Sequence, residues 1–224
     1  MIFLAEKENF LTIKENGCHE IIIKKSKFIT NIARTKTVSE ADEFIKNISK
    51  KYRDATHNTF AYTLGLNDDQ VKASDNGEPS GTAGIPELKA LQLMKLKNLT
   101  VVVTRYFGGI KLGAGGLIRA YSNSVTEAVK AIGVVKKVLQ QEIIFNVSYS
   151  NFDEINHYLQ KEKIFIKNID YGVDIKIQVF LDEKQIDNFE KEITNLLSGQ
   201  VNFSTGEKRY NEIPVESTNF HEQI

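Results

Sequence analysis

With 29 Lys+Arg against 29 Asp+Glu in 224 residues the chain is neutral overall, yet residues 1–138 hold 21 and 14 of them, a net +7, and residues 139–224 hold 8 and 15, a net −7. Hydrophobic residues at 41% supply a core, which excludes global disorder, and the apolar runs are far shorter than the ~20 residues that span a bilayer. MIFLAEKENF has no basic n-region and does not read as a secretory signal, while a single cysteine, Cys18, excludes an internal disulfide and fits a reducing cytoplasm. Four scattered histidines and that one cysteine have no metal-site spacing, so neither a metal nor a cofactor is expected. The charge split points to two modules and a basic surface with an anionic partner.

The first half reads as follows. Phe10–Ile13 and His19–Ile23 alternate around Glu15-Asn16-Gly17, the pattern of a hairpin. Residues 28–33 form a third strand. Thr37 and Glu40 have capping-box spacing, and Val38, Ala41, Ile45, Ile48 and Tyr52 follow at helical spacing, which predicts a helix over 38–52. Residues 57–66 read as a strand and 67–85 as turns. Pro86 suits the first turn of a helix that Leu88, Leu91, Met94 and Leu96 carry to about 97. The β-branched run from Leu99 to Phe107 is that of a buried central strand. A glycine-rich loop leads into a helix marked by Leu117, Tyr121, Val125, Ala128 and Ile132 and stopped by Gly133.

The pattern restarts near residue 138. A strand over 142–148 is followed by a helix over 152–163 that starts at the capping-type run Ser150–Asp153. A strand over 164–170 turns at Tyr171-Gly172 into one over 173–181, with Val173, Ile175, Ile177, Val179 and Leu181 on one face. A helix carrying Ile186, Phe189, Ile193 and Leu196 ends at Gly199, and a strand over 200–210 closes the set. This βαββαβ order is the ferredoxin-like unit. The expected domains are therefore 1–138 and 139–212, with a tail at 213–224. An RNA-recognition motif has the same element order but carries stacking aromatics on its third strand. Here that strand holds one aromatic in an acidic half, which favours a protein-docking or regulatory module.

Eight of the 14 glycines fall between residues 77 and 116, in SDNGEPSGTAG (74–84) and RYFGGIKLGAGGLIR (105–119). A glycine-rich loop feeding a helix after a buried strand is a ready anion site. Arg119 lies in the first turns of that helix, off its apolar stripe, where a cation opposes the macrodipole. Arg105 ends the buried strand on the parity of Val101 and Val103, and Lys111 sits in the loop. The phosphate or nucleic-acid candidates are thus Arg105, Gly108, Gly109, Lys111, Gly113, Gly115, Gly116 and Arg119. Turns and helix–sheet packing also use glycine, and from spacing alone both readings stand. No Gly-Lys-Ser/Thr closes the loop, and Ile118 takes the place of a third Rossmann glycine, so a specific nucleotide cofactor is not indicated.

His57, Asp75, Glu78 and Ser80 are the candidate acid–base set. The alternative gives Asp75 and Ser80 turn hydrogen bonds, Glu78 a solvated position and His57 a strand end. Cys18 reads as a structural or inert thiol. Tyr52, Tyr62, Tyr106 and Phe107 lie near basic residues and could stack bases or fill the core.

At these motifs the chain resembles the YigZ/IMPACT family, through VVVTRYFGGIKLGAGGLIRAYSNSV, SDNGEPSGTAG and the upstream ATHNTFAY. The resemblance implies an α+β protein of two domains. The N-terminal one would be an α/β sandwich like the second domain of the fifth small-subunit ribosomal protein. The C-terminal one would be ferredoxin-like, as at the end of elongation factor G. Both folds recur in ribosome-associated and RNA-binding proteins. Eukaryotic members regulate translation and carry an additional N-terminal partner-binding domain, which has no counterpart in this sequence. The expected function is a cytoplasmic, translation-associated regulator that binds RNA, the ribosome or another anionic partner through the Gly/Arg loop, with a protein partner on the acidic domain and no membrane association. An enzyme acting on a nucleotide or phosphorylated small molecule, and a pure protein-interaction module, are the alternatives.

Overall fold

The structure, a computed structural model, describes residues 9–215. It divides into two compact units, one holding the residues up to Lys137 and those from Glu212, the other Val138–Asn211.

The first unit contains β1 (Phe10–Ile13), β2 (Gly17–Ile23), β3 (Ser26–Arg34), α1 (Val38–Lys51), β4 (His57–Leu64), β5 (Gln70–Ser74), α2 (Gly84–Leu93), β6 (Leu99–Tyr106), α3 (Ala114–Ile132) and the start of β7 (Val134–Val147). An antiparallel sheet runs in the order β2-β3-β6-β4-β5. Strand residues alternate between its faces. Phe28, Ile32, Ala61, Val101 and Val103 meet Leu91, Leu117, Tyr121 and Val125 of α2 and α3 on one face. On the other, Tyr62 and Leu64 pack with Ala41 of α1. Covered on both sides, β6 is apolar at consecutive positions. At the start of α1 the Thr37 hydroxyl accepts from the Glu40 N–H, while the Glu40 carboxylate accepts from the Lys36 N–H, one residue before the cap.

Several elements depart from expectation. Phe10–Ile13 is not in a hairpin with β2: it pairs antiparallel with Val134–Lys137, Ile13 against Val134. The residues between β1 and β2 are a crossing, anchored where Asn16 Oδ1 accepts from Arg34 N. Alternation gives a strand its faces and not its partner. Residues 70–74 form an edge strand where turns were expected, because its mostly exposed side chains carry no periodic apolar signal. The second helix ends at Leu93 rather than near 97. Lys95 adopts φ 53° and its N–H reaches Gln92 O, while Leu96 N reaches Leu91 O. This is a Schellman stop with lysine where glycine is usual. Lys163 and Ser198 end α4 (Tyr149–Lys161) and α5 (Glu183–Leu196) in the same way.

The second unit continues β7 from Val138, followed by α4, β8 (Phe165–Tyr171), β9 (Ile175–Asp182), α5 and β10 (Phe203–Val215). Its sheet runs β10-β7-β9-β8, the order of a ferredoxin-like fold. Ile143, Phe145, Ile177, Val179, Leu159, Phe189 and Ile193 form its core. The strand expected over 142–148 begins eight residues earlier, at Val134. The first helix of this unit starts at Tyr149 behind Ser148, ahead of the Ser150 expected to open it. Val173 is 98% exposed and precedes β9, so it takes no part in the apolar face. On the opposite face the one aromatic, Phe180, is buried beneath Arg209, whose Cζ is 4.2 Å from the ring centroid. Beside it the buried Glu142 carboxylate accepts from Lys167 Nζ, Gln178 Nε2 and Glu207 N. Phe180 is thus covered and not open to base stacking.

The strand expected to end at 210 runs to Val215, so residues 213–215 are not tail, and 216–224 lie outside the described residues. Glu212 explains the extension. It binds Arg34 through both oxygens, at 2.7 and 2.9 Å, and Lys137 Nζ at 2.5 Å. The Arg34 hydrogen bonds, against some burial and with help from Lys137, hold the Glu212 carboxyl down at about 2. A depressed carboxyl gives stability that is complete above its unfolded value and lost as pH falls through the folded one. Glu212→Gln should therefore lower stability at pH 7, with the gap from wild type closing between pH 4.5 and about 2. Urea unfolding at pH 7 and pH 2.5 checks this, and an equal gap at both would refute it.

Candidate functional site

One end of the first unit's sheet gathers most of the predicted residues. The β2–β3 turn, the end of β6, the start of β4 and the end of β5 all lie there by register: Ile23 against Ser26, Lys27 against Tyr106, His57 against Arg105, and Phe60 against Ser74. The 75–83 and 107–113 loops spring from this end.

A buried network stands beneath it. Arg105, 5% exposed, donates through Nη1 to Glu78 Oε1 at 2.6 Å. Tyr121 of α3 donates to the same oxygen at 2.7 Å. Its ring meets Phe28 edge-on at 5.3 Å. Burial first, and then the bond to Glu78, push the Tyr121 hydroxyl far above its ordinary value. Glu78 is 8% exposed and not solvated, because the 75–83 turn folds its side chain inward against this arginine and tyrosine. His57 Nδ1 is 3.1 Å from the Asn76 carbonyl, which can only accept, so in the neutral ring the proton sits on Nδ1 and Nε2 keeps its lone pair. Nε2 stands 3.9 Å from Glu78 Oε2, beyond hydrogen-bond length.

Asp75 and Ser80 are not in this network. Asp75 accepts from the N–H groups of Gly81, Ala83 and Gly84, tying the loop to the start of α2. Burial opposes its charge, but the three donors together outweigh it and hold the carboxyl below its ordinary value. Ser80 is exposed. Glu87 of α2, which carried no signal in the sequence, is fully buried under Thr59.

The glycine loop has a different surface. A Cβ at Gly108 would fall 2.0 Å from the Lys25 carbonyl carbon, so this glycine permits the loop to close onto the β2–β3 turn. Gly108 N donates to Ser26 Oγ at 3.2 Å, which fastens the two. Gly109 and Gly113 have φ of 81° and 71°, and Gly113 caps α3. Gly116 has Leu112 as its nearest neighbour, whereas a Cβ at Gly115 would meet nothing. Leu117 N makes the first bond inside the helix, to Gly113 O, so the earlier amides have no intrahelical partner.

Along α3 from Gly116 to Thr126 lies an open cleft of about 630 Å³, lined among others by Lys24, Leu112, Gly116, Arg119, Asn123 and Thr126. Arg119 and Lys24 are exposed, as are Lys25 and Lys111 beside them. None of the four forms an ion pair among the described residues. Arg105 and Arg119 therefore serve different ends: one is neutralised in the interior, the other is open to a ligand. Of the four aromatics, Tyr62 is core, Tyr52 and Tyr106 are half-buried, and Phe107 is exposed. No three His, Cys, Asp or Glu among the described residues are placed to hold a metal ion, and no described helix is long and apolar enough to cross a membrane.

Comparison with known proteins agrees with this division. The profile of the Impact N-terminal domain matches residues 24–129, and that of a domain of unknown function, DUF1949, matches 145–200. A Bacillus subtilis protein, IMPACT family member YvyE, is 44% identical over 92% of this chain and 95% of its own. Escherichia coli YigZ is 34% identical over 80% and 89%. Human Protein IMPACT is 36% identical over 40% of this chain and 32% of its own. A crystallised hypothetical protein superposes with a TM-score of 0.56 at 31% identity, covering 89% of this chain and 98% of that one.

Proposed function

The chain belongs to the IMPACT family, and from that premise we propose that it is a translation-associated regulator that binds the phosphate backbone of RNA at the cleft beside α3. The observation that carries this reading is a cleft along the N-terminal half of α3 lined by Lys24 and Arg119, with the exposed Lys25 and Lys111 next to its lining residues in sequence and none of the four in an ion pair among the described residues. Cations there oppose the helix dipole, and an anion seated between them and the free amides reverses that repulsion. The acidic second unit supports a role in meeting a protein partner, and the whole would act in the cytoplasm.

Phosphate contacts release counterions, so affinity falls with salt, with a log–log slope of about −0.7 per phosphate on single strands. Arg119→Ala should weaken RNA binding and make that slope shallower by about 0.7. Titration of a labelled RNA at several salt concentrations tests it, and unchanged affinity and slope would count against the proposal.

One observation favours a second reading, an enzyme acting on a phosphorylated small molecule at the same loop: His57 Nε2 stands 3.9 Å from the Glu78 carboxylate. Thermal-shift screening of nucleotides and phosphorylated metabolites with magnesium separates the two.

A further inference from the structure

Phe107 has no part in the core, and its surroundings suggest what it is for. Its ring is 47% exposed in the glycine loop. The ring centroid lies 5.6 Å from Arg105 Cζ. That guanidinium is itself held by Glu78 and lies 5.5 Å from the buried Phe28 ring. Its backbone is held as well, since Phe107 N donates to Thr56 Oγ1 at 3.1 Å. The ring thus has an immobile cation near it and a broad surface open to solvent. The next residue, Gly108, is seated on Lys25, whose neighbour Lys24 lines the cleft with Arg119. Ile110 and Ile118, 41% and 42% exposed, add apolar surface beside the same cations.

We infer that Phe107 is a stacking platform for an unpaired base, and that the RNA bound here is single-stranded. This rests on the phosphate-binding reading above and names the ligand more narrowly. A duplex keeps its base faces stacked inside and offers a ring nothing to stack on, while its phosphates need only lysines and an arginine. A half-exposed ring in the loop that carries Lys111 and closes onto Lys25 suits a strand whose bases are free to splay while its phosphates follow the charge. The backbone that carries the ring is held before the ligand arrives, which limits the order lost on stacking. Every base has a π-face, so the site would tolerate many sequences.

The test uses the full chain, wild type and the variants Phe107→Ala, Phe107→Tyr and Arg119→Ala, by fluorescence anisotropy. The probes are an unstructured oligouridylate, the same length with abasic sites, and a duplex RNA. Phe107→Ala should weaken oligouridylate binding about tenfold with the salt slope unchanged, and Phe107→Tyr should restore it. The abasic strand should bind wild type and Phe107→Ala alike, and duplex binding should not respond to Phe107. If Arg119→Ala weakens binding but Phe107→Ala does not, or if Phe107→Ala weakens duplex and single strand equally, the stacking role is overturned and phosphate binding stands. If wild type binds none of the probes, the phosphate reading falls and this one with it.

Discussion

Arg105→Ala is expected to lower folding stability by about 3–5 kcal/mol, the range for removing one partner of a buried ion pair. The loss is large because of what remains. Glu78 would stay in the interior with Tyr121 as its one remaining hydrogen-bond donor among the described residues, and Phe28 would lose the cation over its ring. Tyr121→Phe removes one neutral-to-charged hydrogen bond and should cost less, about 1.5–3 kcal/mol. Replacing both charges together, Arg105→Met with Glu78→Leu, should recover part of the stability, since well-packed apolar residues often match a buried pair while the Tyr121 hydroxyl loses its acceptor. Urea unfolding of the three variants decides it. A single-variant loss below about 1 kcal/mol would show that the pair is solvated in solution, as surface pairs are. Because Arg105 also backs Phe107, the doubly apolar protein offers a folded molecule whose loop lacks that support.

Glu87 should make the first unit less stable as pH rises, the reverse of Glu212. Full burial, only partly offset by the bond from Thr59 and reinforced by the nearby Asp75 charge, raises its carboxyl well above 4.5. A group whose proton affinity is higher in the folded state gives stability that is complete below the unfolded value and declines as pH climbs towards the folded one. The geometry agrees with a neutral acid. The Thr59 hydroxyl faces two acceptors, Glu87 Oε1 and Val103 O, with a single proton, while Glu87 Oε2 has no partner. A protonated Glu87 supplies the missing hydrogen. Glu87→Gln stays neutral at every pH and should flatten the decline from pH 4.5 upward, each tenfold of proton affinity being worth about 1.4 kcal/mol. Parallel stability–pH curves for wild type and variant would refute the assignment.

Most elements and the βαββαβ order of the second unit are legible in the sequence, because apolar period and β-branched runs report burial directly, whereas the fold of the first unit comes from the family resemblance. Partnership is not. Phe10–Ile13 alternates as well as any hairpin strand, yet its partners, Val134 to Lys137, lie 121 to 127 residues further along the chain. Tyr121 falls on the apolar stripe of α3 and is read as core; nothing in the spacing says that its hydroxyl crosses to Glu78. Glu78 itself, in a turn of small polar residues, has the sequence context of a solvated side chain, and only the facing arginine and tyrosine make its burial tolerable. Arg105 and Arg119 look equivalent as flanks of one glycine loop. Parity along β6 sends the first into the core face, and helical period sends the second outward, so the two signals separate only when both elements are placed. A glycine at the helix stops would have marked the end of α2, but Lys95 occupies that position.

The Glu212 clamp bears on more than the strand it extends. The chain leaves the first unit after Lys137 and returns to it at Glu212, whose carboxylate bonds Lys137 itself. The second unit is thus a closed loop of chain between two points that the first unit holds together. While that closure lasts, unfolding the second unit releases a ring rather than a chain with a free end, and a ring has fewer conformations to gain. The ion triad of Arg34, Lys137 and Glu212 therefore acts as a non-covalent crosslink between the ends of that loop, and weakening it should destabilise β8 and β9 through their unfolded state.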